Sequence, residues 1–190
     1  MRYASIRNMD ISNGENVGVA LFVQGCYFHC YNCFNSETWD FQGGKEWSQD
    51  AKEKFLKLVD RSYIKRVSIL GGEPLADKNL DDILDLVTDI NKHYNISCCS
   101  KPNKTIWLYT GYKWEHIFDI RWDYHPQTQE KLSIGRWRRQ QIIKQCDVLI
   151  DGRYIDSQRD ITLAFRGSKN QRVIDVQKTL KSGEVVLWTT

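Results

Sequence analysis

The sequence predicts an α/β fold in which parallel strands build a layered sheet or an incomplete β/α barrel. Two observations carry this. Short apolar runs alternate with amphipathic segments at helical spacing, and each run closes on glycines or polar residues suited to chemistry. Such alternation favours parallel pairing through right-handed crossovers, which gathers functional residues at the C-terminal ends of the strands.

The elements follow in order. Asn13-Gly14 signals a turn, and Val17 to Val23 reads as a buried strand that ends at Gly25. Ser48 is a plausible cap for an amphipathic helix running to Val59, with Ala51, Phe55, Leu58 and Val59 on one side. Val67 to Leu70 gives a second strand, closing on Gly71-Gly72-Glu73-Pro74. Leu80, Ile83, Leu84, Val87 and Ile90 mark a second helix, and Thr105 to Thr110 a third strand. A helical turn is expected around Trp114 to Ile117, an irregular stretch from Arg121 to Gly135, a helix from Arg136 to Gln145 and a strand from Asp147 to Asp151. Short apolar segments follow near Ile161 to Phe165, Val173 to Val176 and Val185 to Trp188.

Bulk properties narrow the function classes. A chain of 190 residues suits one compact domain, and 41% hydrophobic with 27% charged residues is ordinary globular composition. No stretch approaches the roughly 20 apolar residues of a membrane span, and the first residues lack the apolar core of a signal peptide, so a cytoplasmic protein is expected. A net charge of +3 does not call for nucleic acid. The one basic cluster, Arg136-Trp137-Arg138-Arg139, reads as a solvated helix face, with docking of an acidic protein partner or binding of nucleic acid as equal alternatives.

The cysteines carry the chemistry. Cys26, Cys30 and Cys33 fall within eight residues, whereas Cys98, Cys99 and Cys146 lie far along the chain. Tight clustering favours metal or redox chemistry over a disulfide framework. A structural zinc site needs four protein ligands, and His29 directly precedes Cys30, where adjacent side chains tend to point apart. Three thiolates on a four-iron cluster would instead leave one iron open to an outside ligand, an arrangement for catalysis. Vicinal Cys98-Cys99 follows no ligand spacing, Cys146 reads as a small core residue, Tyr112 and Trp114 read as packing, and His93, His116 and His125 show no pattern.

With this cysteine spacing followed one strand-helix unit later by Gly71-Gly72-Glu73-Pro74, the chain resembles the radical S-adenosylmethionine superfamily. More narrowly it is similar to the activating proteins of anaerobic ribonucleoside-triphosphate reductase. The shared stretches run from Asp10-Ile11 through Leu21-Phe22-Val23, Leu70 to Leu75, Trp107-x-Tyr109-Thr110-Gly111-Tyr112 and Val148 to Tyr154 to Arg166-Gly167-Ser168-x-Asn170-Gln171. The resemblance implies an incomplete barrel of radical S-adenosylmethionine type over residues 1–190. It implies that Cys26, Cys30 and Cys33 are catalytic and hold a [4Fe-4S] cluster, whose fourth iron binds S-adenosylmethionine. Reductive cleavage would yield a 5'-deoxyadenosyl radical that takes hydrogen from a glycine of the large reductase subunit, with flavodoxin or ferredoxin as electron donor. Asn32, Cys33 and Phe34 would lie at the adenosine end. Gly71 and Gly72, with Glu73, would let the backbone approach the methionine end, because a Cβ there would obstruct it. Thr110, Asp151 and Arg153 would make polar contacts, although Asp151 and Arg153 could equally form a structural ion pair. Asn32 departs from the aromatic or glycine usual before the last cysteine. Two alternatives stay open: another short radical S-adenosylmethionine enzyme, such as a different activase or a deazapurine-synthesis enzyme, and a non-enzymatic electron carrier or zinc module.

Overall fold

The computed structural model describes residues 1–94, 104–119 and 129–189. Its strands are β1 (Arg2–Asp10), β2 (Gly18–Val23), β3 (Lys45–Glu46), β4 (Arg66–Gly71), β5 (Thr105–Tyr109), β6 (Val148–Asp151) and β7 (Arg172–Asp175). Its α-helices are α1 (Gln49–Val59), α2 (Leu80–Tyr94), α3 (Trp114–Phe118), α4 (Gln129–Lys144) and α5 (Val176–Ser182). The seven strands form one mixed sheet in the order β3-β1-β2-β4-β5-β6-β7. The central four, β2, β4, β5 and β6, are parallel, as the alternation predicts. The flanks are antiparallel, which the sequence reading did not anticipate: β1 and β3 on one side, β7 on the other.

The period of two along each strand divides the sheet into two faces with different duties. Val19, Leu21, Val67, Ile69, Ile106, Leu108 and Leu149 point to one face, where Phe55 of α1, Ile83, Leu86 and Ile90 of α2, Ile142 and Ile143 of α4 and Val176 of α5 cover them. On the opposite face Phe22, Leu70, Tyr109 and Ile150 stand in one row across the paired strands. Ala20, Ser68, Trp107 and Val148 form the row nearer the strand starts. No α-helix supplies a residue to the apolar clusters of this second face among the described residues; Phe165 and Trp188 pack on Trp107 instead, at ring separations of 5.1 and 5.7 Å.

The lower end of that face is closed by a buried polar lock. Arg66 is fully buried, and its guanidinium donates to the Asp10 carbonyl (2.7 Å), to Asp10 Oδ1 (3.0 Å) and to the Glu15 carbonyl (2.9 Å), and also bonds the Asn13 carbonyl and Ser68 Oγ. The β1–β2 turn is thereby fastened to β4. Burial pushes the Asp10 carboxyl up, but the Asn13 N–H, the Arg66 guanidinium and the Asn13 amide together outweigh it and hold it below the usual carboxylate range.

Several expectations meet the structure directly. Ser48 Oγ accepts the Ala51 N–H at 3.3 Å and caps α1. Cys146 is fully buried, and Tyr112 and Trp114 pack against the main core. The stretch read as irregular up to Gly135 is helical from Gln129, so α4 starts earlier than its apolar pattern indicates. The arginine cluster on α4 is tied to the protein itself. Arg136 bonds the Ile117 and Asp119 carbonyls, Arg138 pairs with Asp81 at 2.9 Å, and Arg139 reaches the Leu75 carbonyl and Asp77. Cys98, Cys99, His125 and residues 121–128 lie outside the described residues.

Candidate functional site

The cysteine loop leaves β2 at the C-terminal edge of the parallel strands, and its backbone conformation is unusual. Gly25 (φ 94°), His29 (φ 44°) and Asn32 (φ 54°) are left-handed, and each directly precedes a cysteine. Such angles are rare outside glycine, with Asn and His among the residues that tolerate them best. Three left-handed steps curl the chain so that Cys26, Cys30 and Cys33 all line one cavity of about 590 Å³. The Asn32 conformation supplies the reason for a polar residue before the last cysteine. His29 stacks on Trp39, with ring centroids 4.6 Å apart, and does not line the cavity.

The loop is anchored from both sides. Cys26 N–H donates to the Trp39 carbonyl (3.0 Å), Gly25 N–H to the Thr38 carbonyl (2.8 Å), and Glu73 N–H to the Gly25 carbonyl (2.7 Å). Gly71 and Gly72 are required by this packing. A Cβ on Gly71 would stand 2.8 Å from the Val23 backbone, and one on Gly72 would stand 2.5 Å from the Gly25 carbonyl oxygen. The close approach is to the protein's own backbone at the foot of the cysteine loop, and both glycines also line the cavity.

Glu73 joins two strand ends. Its Oε1 accepts from Leu75 N–H and Thr110 Oγ1, and its Oε2 from Gly111 N–H, each at 2.8 Å. Burial raises its pKa to about 7 against the lowering effect of these donors and of Arg139. Thr110 is correspondingly committed, donating to Glu73 and accepting from Tyr112 N–H at 3.1 Å.

Of the residues singled out by sequence, Cys26, Cys30, Cys33, Phe34, Gly71, Gly72, Glu73, Thr110 and Arg153 line the cavity; Asn32 and Asp151 do not. Asp151 is buried and holds Arg172, with Oδ2 2.5 Å from Nη2 and Oδ1 3.0 Å from Nε, while Arg172 also grips Glu115. The structural ion pair is therefore Asp151–Arg172. Arg153 lies over the Phe28 ring at 4.3 Å. Arg7, Asn13, Trp39, Tyr109, Arg166 and Gln171 also line the cavity without having been assigned a role. Arg166 and Gln171 belonged to the late Arg-Gly-Ser motif, and that motif was the available signal.

The thiols suit a polynuclear cluster. Cys26, Cys30 and Cys33 are unpaired and half-buried. In an iron–sulfur cubane each thiolate takes its own iron and the sulfurs stand apart around the cluster, and three cysteines lining one cavity are a donor set of that kind. Burial pushes the Cys26 thiol up to about 11, and burial with the neighbouring Cys33 raises Cys30, so ligation there must displace protons. The positive charge of Arg153 acts in the opposite sense on Cys30.

Comparison with known proteins agrees with this donor set. Residues 12–174 match the model of the 4Fe-4S single cluster domain family. The chain is 31% identical over 175 residues to the anaerobic ribonucleoside-triphosphate reductase-activating protein of Salmonella typhimurium, covering 91% of this chain and 97% of that one. It is 32% identical to the protein of the same name from Vibrio cholerae, over 90% of this chain and 96% of the relative. For the protein of that name from Enterobacteria phage T4 the identity is 31%, over 91% and 93%. On a match of this extent, with the cysteine loop and the glycine segment inside it, the chain belongs to the anaerobic ribonucleoside-triphosphate reductase-activating protein family.

Proposed function

We propose that this protein is a glycyl-radical activase that cleaves S-adenosylmethionine reductively to activate an anaerobic ribonucleoside-triphosphate reductase. The observation that carries the reading is the loop of three left-handed steps that turns three reduced thiols toward one cavity. Cys26, Cys30 and Cys33 would hold the cluster. Bound there, the cluster would supply one electron to the sulfonium, breaking its S–C5' bond to give methionine and a 5'-deoxyadenosyl radical that would take hydrogen from a glycine of the reductase.

The chain's own residues orient and exclude water. The Gly72 and Glu73 N–H groups donate to the Val23 and Gly25 carbonyls, fixing the start of the cysteine loop against β4. Glu73 locks the β4 and β5 ends together, which fixes the part of the cavity wall they form. Phe22, Leu70, Tyr109 and Phe165 make that wall largely apolar, a setting that protects a reactive radical from solvent. Gly71, Gly72 and Phe34 lie on the cavity where cosubstrate contacts are expected, whereas Asn32 acts by shaping the loop and Asp151 by holding Arg172 behind the rim.

The same reading covers the architecture and setting. Four parallel strands with a cavity on their open face support an incomplete barrel of radical S-adenosylmethionine type, forming one domain over residues 1–190. No helix among the described residues is long and apolar enough to cross a membrane, which accords with work in the cytoplasm, and flavodoxin or ferredoxin would be the reductant. The test is anaerobic reconstitution with iron and sulfide, reduction with dithionite, and addition of S-adenosylmethionine and reductase. The reading expects 5'-deoxyadenosine and a glycyl doublet in the electron spin resonance spectrum. Neither product from fully loaded protein would overturn it.

A further inference from the structure

Three arginines line the cavity, and they differ in what answers their charge. Arg7 stands 3.6 Å from Asp10 Oδ2 and lies over the Phe22 ring at 4.5 Å. Arg153 lies over the Phe28 ring at 4.3 Å. Arg166 has no such partner. Among the described residues no carboxylate, carbonyl or aromatic ring meets its guanidinium, and its Nε is buried with no acceptor. The two carboxylates on the cavity wall are engaged elsewhere: Glu73 accepts from three donors, and Asp160 accepts the Thr162 N–H and hydroxyl and faces Lys169.

The position of Arg166 is built by the chain around it. Phe165 directly before it is left-handed (φ 63°), an outlier for an aromatic residue, and its ring is wedged against Trp107. Gln171 Oε1 accepts the N–H groups of Gly167 (3.0 Å) and Ser168 (3.2 Å), and its Nε2 donates to the Gly152 carbonyl (3.0 Å). Asn170 Nδ2 donates to the Arg153 carbonyl at 2.8 Å. Gly167 lies so close to Phe34 that a Cβ would stand 2.9 Å from its ring. The Arg-Gly-Ser-x-Asn-Gln motif thus fastens this strap to the rim and presents one uncompensated guanidinium to the cavity.

We infer that Arg166 is the carboxylate anchor of the site, pairing with the amino-acid carboxylate of S-adenosylmethionine and setting specificity for it; the inference rests on the activase reading. Carboxylate is the only anionic group of that cosubstrate, while its ammonium and sulfonium would be repelled by a guanidinium. Adenosine and a glycine main chain carry no charge to offer. A buried or half-buried guanidinium gains most from a charged acceptor.

The test compares Arg166→Gln and Arg166→Lys with the unaltered protein, all reconstituted anaerobically, by equilibrium binding of S-adenosylmethionine and of its decarboxylated analogue. Arg166→Gln should weaken S-adenosylmethionine by roughly 10- to 100-fold, the range of a charge-assisted bond. Arg166→Lys should recover part of this, and the analogue should bind the unaltered and Gln proteins equally. Because Arg166 holds nothing in the protein, the melting temperature should stay within about 2 °C. Equal weakening of both compounds, no weakening of either, or a large fall in melting temperature would each overturn the assignment. Failure of the unaltered protein to bind either compound is a different result, which removes the activase reading and the anchor with it.

Discussion

Replacing Gly72 by alanine should injure the cysteine loop from a distance, and the size of the injury follows from geometry. The new methyl carbon would lie 2.5 Å from the Gly25 carbonyl oxygen and 2.9 Å from that of Thr38, where ordinary contact begins at 3.4 Å. Neither neighbour is the end of a flexible side chain, so the backbone just before Cys26 must move. Overpacking of this kind costs about 1–3 kcal/mol. In a domain of this size each kcal/mol lowers the melting temperature by roughly 2–4 °C. Gly183→Ala supplies the opposite case: φ is 78°, and nothing lies within 4 Å of the added carbon, so only the left-handed conformation is penalised, at about 1 kcal/mol. Melting of the metal-free proteins, with iron and sulfide content after anaerobic reconstitution, reads both effects. Gly72→Ala should melt lower and load less cluster, while Gly183→Ala should melt slightly lower and load fully. Equal loading by both variants would refute the coupling between Gly72 and the loop.

Four other outcomes follow from the same physical argument. Arg66→Met should leave the buried Asp10 carboxylate without its cation and cost about 3–5 kcal/mol in urea unfolding. Because the Asp10 carboxyl is held below its unfolded value, its contribution is present at neutral pH and is lost as pH falls through the folded value, so unaltered protein should lose stability in acid and Asp10→Asn should lose that dependence. Cys30→Ala should abolish cluster loading, whereas Cys146→Ala, in the core beneath the Ile142 carbonyl, should load normally and melt only a few degrees lower; metal analysis and thermal melts separate them. Asn32→Gly should preserve loading and Asn32→Val reduce it, since a β-branched residue resists φ 54°, as iron content will report.

What the sequence made legible was whatever depends on local pattern. Runs such as Val67 to Leu70 and Val148 to Ile150 are buried on both faces and read as strands, and Leu80 to Ile90 carries a plain helical stripe. The strand β1 escaped because Ser5, Arg7, Asn8 and Met9 are exposed and its residues lack an apolar alternation. The early start of α4 escaped because residues 129–135 are mostly polar and imitate a loop. The cysteine triad and the glycine segment were visible as spacing, yet of the left-handed residues that turn the thiols inward only Gly25 and Asn32 are of types that mark such a conformation. Asp151 and Arg153 are two residues apart and suggested a pair; in space Asp151 faces Arg172 of the antiparallel β7, a neighbour that only the fold supplies. Arg166 was recognised as part of a motif, but its isolation inside the cavity depends on chain segments that only the fold brings together.

The proposed chemistry depends most on a cubane held by three thiolates with one iron free for S-adenosylmethionine. Electron spin resonance of the dithionite-reduced, reconstituted protein with and without S-adenosylmethionine tests this most directly, alongside metal content. About four irons per chain are expected, with a reduced-cluster signal that shifts on adding the cosubstrate. Bound zinc, or a cluster signal indifferent to S-adenosylmethionine, would contradict it.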